Sequence, residues 1–393
     1  MKRRSLLIGL GALALNPLTT GCSNRREADL HLQVLSGSLP AQLIQTFQHR
    51  QQPQLQRHPV LGFTPQPQLE DLFTLLQTWK QRSTAGNSSQ RSWNPLARST
   101  NAADVADLVT LGDYWLLPAI QQGLIQPFDA TDLQGWEMLS PQWRSLMTAY
   151  ATDQPTATPP KQLWAAPYRW GTMVIAYRNE EFQSLKPPTD WADLWRPELQ
   201  GRISLLDGPR ETIGLTLKKL GQSFNPSNLN AVAALPSELA ALHRQARFYS
   251  SDAYLQPLLL GDTWVAVGWS TDVLPVIKRD RRITAIVPTS GTILTADVWV
   301  RPAREAASPA VVEELLKQWI DFCWQPEAAL QMAILGQSAS PVLTTLDRTQ
   351  LPSTVRENAI LLPPQAVLER SELLKPLNTT TAEQYRQVWQ ALR

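Results

Sequence analysis

Five side chains at predicted strand ends carry the chemistry available to this sequence: Tyr114, Trp170, Glu211, Trp269 and Asp297. Carboxylates neutralise ammonium groups through charge-assisted hydrogen bonds, and aromatic faces hold methylenes and cations. Together they fit a cationic ligand. In the turn LLDGPRETIGLTLKKLG, Pro209 suits a first helical position, where its missing N–H would be unpaired anyway. Glu211 then falls in the first turn, where the helix dipole favours a carboxylate. That carboxylate either meets a cation or closes the backbone of its own helix. Plainer roles exist for the others: Tyr114 and Trp269 packing between sheet and helix, Asp297 capping a turn or pairing with an arginine.

Other chemistries are poorly supplied. His31, His49, His58 and His243 are scattered without metal-ligand spacing. Gly268-Trp-Ser-Thr-Asp272 and Gly336-Gln-Ser-Ala-Ser340 approach a nucleophile elbow but lack its final glycine, which leaves Ser270 as a weak basis for a hydrolase. The closely spaced glycines, Gly9 and Gly11, lie in the N-terminal leader, and no phosphate loop is present. The reading is a binding protein, not an enzyme, with no cofactor and no metal. Lys plus Arg number 36 against 34 Asp plus Glu, and removing Lys2, Arg3 and Arg4 leaves the chain within one charge of neutrality, without a nucleic-acid footprint. Fifteen tryptophans are a heavy load, and most are expected in cores.

The elements that must position these residues alternate between strand and helix. Asp29 to Leu35 reads as a strand followed by a helix over Pro40 to Gln51; Pro59 to Phe63 and Gln68 to Lys80 repeat the unit. Arg82 to Ala103 is polar and turn-rich and reads as a mobile surface loop. Ala106 to Thr110 reads as a buried strand that turns at Leu111-Gly112-Asp113 into a helix near Tyr114, and such strand ends face ligands in open α/β sheets. Leu163 to Tyr177, with its PYRWGT segment, reads as a crossing between lobes. Strands over Gly201 to Leu206, Thr263 to Trp269, Ile283 to Val287 and Thr295 to Val300 follow, with a helix over Arg210 to Leu220. A late helix has Ser308 as N-cap and Pro309 as first residue, and ends at Pro326. About 370 residues beyond the leader imply two domains of α/β layers.

Residues 1–22 read as an export signal: a basic start, an apolar run from Leu6 to Leu15 broken by Asn16 and Pro17, then small residues before Cys22. The run is too short to cross a bilayer. Gly21-Cys22 resembles a lipoprotein cleavage site, with Cys22 lipidated, so the mature chain is expected in the periplasm and anchored to a membrane. Cys323 would then be the remaining thiol; it follows Leu315, Trp319 and Phe322 on a helical stripe and reads as a small buried hydrophobe.

The order of ADLVTLGDYWLLPAIQQGLIQPFD, LWAAPYRWGTMVIAYRNEEF, TDWADLWRPELQGRISLLDGPRETIGLTLKKLG, WVAVGW, GTILTADVWVRPA and WIDFCWQPEAALQMA resembles the periplasmic spermidine/putrescine-binding proteins of ABC importers. Its most specific pieces are the W-A-D-L-W-x-P-E-x-x-G run and the D-x-x-R-E turn. The resemblance implies a type II periplasmic-binding-protein fold: two α/β lobes, each a mixed sheet flanked by helices, with the ligand between them. The first lobe is expected over 23–170 plus 294–343 and the second over 171–293 plus 344–393. Tyr114, Glu211, Trp269 and Asp297 match the family's ligand contacts, and Asp113, Trp170, Asp207, Ser36 and Gln337 are secondary candidates. The chain departs from the pattern where Leu35-Ser36-Gly37-Ser38 replaces W-x-E-Y, where Gly208 replaces an acid beside Asp207, where Thr295 replaces a tryptophan and where Gln337 replaces a tyrosine. The cleft is therefore expected to be less aromatic, less acidic and larger than a polyamine site. The function implied is capture of a small cationic solute, a polyamine, by a monomer that delivers it to an ABC permease. The alternatives are a binding protein for a different small ligand and a ligand-free envelope scaffold or sensor of the same fold.

Overall fold

The computed structural model describes residues 28–55, 58–86, 105–129, 133–148, 162–304 and 307–393. The expected leader with Cys22 and residues 87–103 of the expected surface loop lie outside them. Strands run in chain order β1 Leu30–Leu35, β2 Leu61–Gln66, β3 Leu108–Gly112, β4 Ile125–Gln126, β5 Phe128–Asp129, β6 Gln162–Leu163, β7 Ala166–Arg178, β8 Ile203–Leu205, β9 Ala246–Tyr249, β10 Val265–Trp269, β11 Ile283–Ile286, β12 Ile293–Pro302 and β13 Glu372–Leu373. The helices are α1 Ala41–Leu55, α2 Leu69–Gly86, α3 Leu116–Gln121, α4 Pro141–Thr148, α5 Pro209–Lys219, α6 Leu235–Gln245, α7 Leu255–Leu260, α8 Ser270–Arg279, α9 Ala310–Cys323, α10 Pro326–Gly336, α11 Ser353–Arg356, α12 Gln365–Leu368 and α13 Thr379–Leu392.

The long strands β7 and β12 tie the molecule together. All thirteen residues of β7 are buried, as befits a strand covered on both faces. Its first half pairs antiparallel with β12, from Ala166 opposite Trp299 to Thr172 opposite Leu294. Its second half pairs antiparallel with β10, from Met173 opposite Trp269 to Tyr177 opposite Val265, and with β11. On the first side the order is β2-β1-β3-β12-β7, with β1 parallel to both β2 and β3; on the other, β10 and β9 both run parallel to β8. Two mixed sheets thus share β7, and the strand changes neighbours between Thr172 and Met173.

The apolar packing follows the same division. One large core gathers Leu30, Leu32, Leu43, Phe47, Trp143, Trp170, Trp299, Trp319 and Trp324; a second gathers Met173 to Tyr177, Trp191, Ile203, Leu205, Tyr254 and Val265 to Val267. A full burial of each such side chain contributes about 1.5–3 kcal/mol. A small third core joins α5, α6 and α13 through Ile213, Leu217, Leu239 and Tyr385. The stretch after residue 343 divides between cores instead of joining the second alone. Leu351, Val355, Leu361, Leu362 and Leu368 pack in the first core, and α13 packs with α5.

Two expected boundaries differ. Helix α2 runs to Gly86, beyond Lys80, because nothing in Gln81 to Ala85 interrupts the backbone ladder, and the Ser83 hydroxyl bonds back to the Lys80 carbonyl. Pro309 is the N-cap of α9, while Pro326 is the first residue of α10 and so starts a helix as well as following one. Cys323 sits buried in the first core, and burial pushes its thiol up to about 12, as its apolar stripe requires.

Candidate ligand-binding cleft

Where the two sheets meet, Asp113, Tyr114, Glu211, Trp269, Ile293, Leu294, Thr295 and Leu374 line one cavity. Asp113 and Tyr114 follow the carboxyl end of β3, Trp269 ends β10, Glu211 lies in the first turn of α5, and Ile293 to Thr295 form the start of β12. Strand ends and a helix start therefore converge, the usual location of ligands in open α/β sheets. The acids stand around a wall of Ile293, Leu294 and Leu374. The cavity holds about 40 Å³ of free volume. It is thus tighter than the enlarged cleft expected from the lost rings, because Asp113 leans onto Thr295 and the apolar wall fills the remaining space. A larger open groove of about 310 Å³, lined by Arg247, Phe248, Gln256, Pro257, Leu260 and Asp262, lies away from these carboxylates at the β9 edge.

Asp113 is buried, and one carboxylate oxygen accepts from the Thr295 hydroxyl (3.0 Å) and the Ala296 N–H (3.2 Å). Burial pushes its acid up to about 6 against the pull of those two donors, and the Asp297 charge adds to the rise. Tyr114 is 63% exposed and meets Trp115 edge-on at 5.4 Å, while Trp115 stacks on Phe73 at 4.5 Å. The ring that faces the cleft is thereby supported from behind.

Glu211 stands at the cavity and at the start of its own helix. It lines the cavity, and its carboxylate also turns back to accept from its own backbone N–H; burial raises its acid, and Arg210 opposes this. Gly208 makes the fold-back possible: a Cβ there would stand 2.1 Å from a Glu211 carboxylate oxygen. Arg210 is buried beneath, donating to the Lys375 carbonyl (2.9 Å) and Asn225 Oδ1 (3.0 Å), with its guanidinium 5.1 Å from the Tyr385 ring centre.

Trp269 is held through Tyr254, whose hydroxyl accepts the Trp269 N–H (3.0 Å) and donates to Asp272 (2.7 Å). Gly268 lets that ring lie flat on β10; a Cβ at Gly268 would fall 1.7 Å from it. Burial raises the Asp272 acid, while Tyr254 and Arg169 oppose this.

Asp297, expected as a central ligand carboxylate, is not on the cavity lining. It is the cross-strand partner of Arg169, and Arg169 Nε donates to its Oδ2 at 2.6 Å, both side chains buried. The register slips immediately after this pair, so that Tyr168 is the extra residue of a bulge. Burial works against the Arg169 charge, but Asp297 holds its pKa up, and Asp272 adds to the effect. The guanidinium is bonded to the β12 carboxylate and acts on Asp272 of α8 through its charge alone. The sequence carried a signal for this: an arginine inside a run as apolar as PYRWGTMVIAY must find a buried anion.

The secondary candidates scatter. Trp170 is 2% exposed, donates from its indole to the Ser340 carbonyl (3.0 Å) and packs on Trp143 in the first core; being next to Arg169 in a strand, it faces the opposite side. Asp207 pairs with Arg393, the last residue of the chain, whose guanidinium lies 4.1 Å from the Tyr249 ring centre. Ser36 is exposed in the turn after β1, where its N–H bonds the Gln66 carbonyl. Gln337 closes α10 at φ 50° and donates to the Ile334 carbonyl. Of the nine candidates, the cavity brings together Asp113, Tyr114, Glu211 and Trp269. No group of His, Cys, Asp and Glu suited to a metal occurs among the described residues, and no helix among them is long and apolar enough to cross a membrane.

Two mixed sheets sharing one crossing strand, with acids and rings between them, define a two-lobed solute-binding protein. Residues 103–368 match the family model described as bacterial extracellular solute-binding protein, and the chain belongs to that family. It is 27% identical over 266 residues to the spermidine/putrescine-binding periplasmic protein of Escherichia coli K12, covering 68% of this chain and 71% of the relative. It is 24% identical over 287 residues to the putrescine-binding periplasmic protein PotF of the same organism, covering 68% and 73%. Among solved structures, the spermidine/putrescine ABC transporter substrate-binding protein PotD of Streptococcus pneumoniae superposes with a TM-score of 0.70 at 19% identity, over 93% of this chain and 98% of that one. The last is a likeness of fold, the type II periplasmic-binding-protein arrangement. These relatives are binding proteins.

Proposed function

We propose that this chain captures a polyamine of the putrescine/spermidine class between its lobes and delivers it to an ABC permease. The observation that carries the reading is the convergence, in one cavity, of the Asp113 and Glu211 carboxylates with the Tyr114 and Trp269 rings around an apolar wall. A polyamine has ammonium groups for the acids and methylenes for the rings and aliphatic side chains. The names of the relatives agree with it. The same reading has the protein work as a monomer outside the cytoplasmic membrane, tethered through a lipid on Cys22.

Isothermal titration calorimetry with putrescine and spermidine tests the ligand class. At least one should bind, and Glu211→Ala should weaken it by tenfold or more, about 1.4 kcal/mol. Failure of both amines to bind sinks the polyamine reading.

A further inference from the structure

Resting on the polyamine reading, we propose that Arg169 is a specificity-determining residue of the cleft: its guanidinium occupies the cationic partner position at Asp297, so the cleft takes a dication, a short α,ω-diamine, in preference to a triamine. Three observations meet here. Asp297 and Arg169 are registered directly opposite one another on β12 and β7, with a hydrogen-bonded ion pair of 2.6 Å, both side chains buried. A carboxylate so engaged is already neutralised from within the protein, and a ligand ammonium would have to displace a bonded guanidinium to use it fully.

Charge counting points the same way. The cavity lining carries two carboxylates, Asp113 and Glu211, and no Lys or Arg side chain. With Asp297 already bonded to Arg169, those two lining carboxylates are the negative charges left for a ligand. A diamine neutralises both, whereas a triamine brings a third charge into a buried space with no carboxylate left for it.

The two carboxylates on the cavity lining come from opposite sides of the crossing, Asp113 from the turn after β3 and Glu211 from the first turn of α5, with Ile293, Leu294 and Leu374 on the wall beside them. An acid from each lobe and an apolar wall match a ligand with a charge at each end and methylenes between.

The experiment is calorimetric: putrescine and spermidine dissociation constants for the wild type, Arg169→Met and the double variant Arg169→Met/Asp297→Asn. The wild type should prefer putrescine by about tenfold or more, a comparison that depends on no variant folding. Arg169→Met frees one carboxylate and should move the preference towards spermidine by about tenfold. The double variant removes the buried pair as a neutral unit, a change that folded proteins commonly tolerate, and should return the preference to putrescine. Circular dichroism identifies a variant that has not folded. Equal affinity of the wild type for both amines, or a tighter spermidine complex, overturns this inference while leaving the polyamine reading intact. A folded Arg169→Met protein with the wild-type preference does the same. Binding of neither amine overturns both.

Discussion

At the scale of single residues, Asp113 is the group whose protonation the ligand must feel. It is buried, bonded to Thr295 and Ala296, and faces the charge of Asp297, and its acid is pushed up to about 6. In the unliganded protein the folded form therefore binds this proton more tightly than the unfolded chain, so Asp113 contributes stability at low pH that is lost as pH rises through about 6. A bound dication reverses the preference, because it favours the carboxylate. Putrescine affinity should accordingly fall as pH is lowered through about 6, by roughly tenfold between pH 7.5 and 5. Glu211 and Asp272 also have raised acids, which makes the variant the deciding control: Asp113→Asn should bind more weakly at pH 7.5 and lose most of the pH dependence. A wild-type affinity that stays level across this range would take Asp113 out of ligand contact. Cys323 offers an independent check of the core. With its thiol buried and pushed up to about 12, a Cys22→Ser protein should resist maleimide when native and label in denaturant. Rapid native labelling would show that α9 is not seated as described.

Elements explain why part of this site was legible in the sequence and part was not. Alternation in LHLQVL and the strand-to-turn change at Leu111-Gly112-Asp113 placed β1 and the Asp113–Tyr114 corner, and the proline-glutamate turn placed Glu211, because each signal is local. The pairing of Arg169 with Asp297 spans 128 residues of chain, so the apolar run around Arg169 calls for a buried anion without telling which one. Trp170 illustrates a related point: an aromatic beside a crossing reads as ligand-facing, whereas this strand is covered on both sides. The two-residue strands and β9, only Ala246 to Tyr249, are too short to show a period at all. The close approach of Gly268 to Tyr254 was equally invisible, yet it organises the second-lobe wall. Gly268→Ala should therefore cost about 1–3 kcal/mol through overpacking, and it should weaken ligand binding because Tyr254 can no longer hold both the Trp269 N–H and Asp272. Denaturant unfolding alongside calorimetry separates the two effects. An unchanged midpoint and affinity would mean that the Tyr254 ring is free to move. Gly208→Ala should act differently: the backbone at φ −135° accepts a side chain, and the clash falls on the flexible end of Glu211. Stability should change by less than about 1 kcal/mol, while the Glu211 carboxylate swings off its own N–H and ligand affinity shifts.

For the molecule as a whole, the division of cores sets the motion available to it. The first core holds Ala166, Tyr168 and Trp170 and the second holds Met173 to Tyr177, so β7 changes its packing partners over Gly171 and Thr172. At that point the Thr172 N–H bonds the Ser270 hydroxyl (2.9 Å), and a Cβ on Gly171 would come within 3.0 Å of the Thr271 methyl, so α8 rests directly on the crossing. Asp113 and Tyr114 ride on one side and Glu211 and Trp269 on the other. A free volume of about 40 Å³ holds about one water-sized group, so a diamine can enter only if the sides part and can be enclosed only if they return. Hinge bending at a few residues, with each core moving as a body, meets both requirements. Two measurements then belong together. Putrescine should lower the radius of gyration by small-angle scattering, and it should raise the melting temperature in step with ligand concentration, by an amount corresponding to about 2.7 kcal/mol at one hundred times the dissociation constant. Glu211→Ala removes the second-lobe acid without touching the crossing, so it should bind less and compact less at the same concentration. Binding detected by calorimetry with an unchanged radius would place the ligand outside the space between the lobes, because an occupant bridging Asp113 and Glu211 cannot be held without drawing the two cores together.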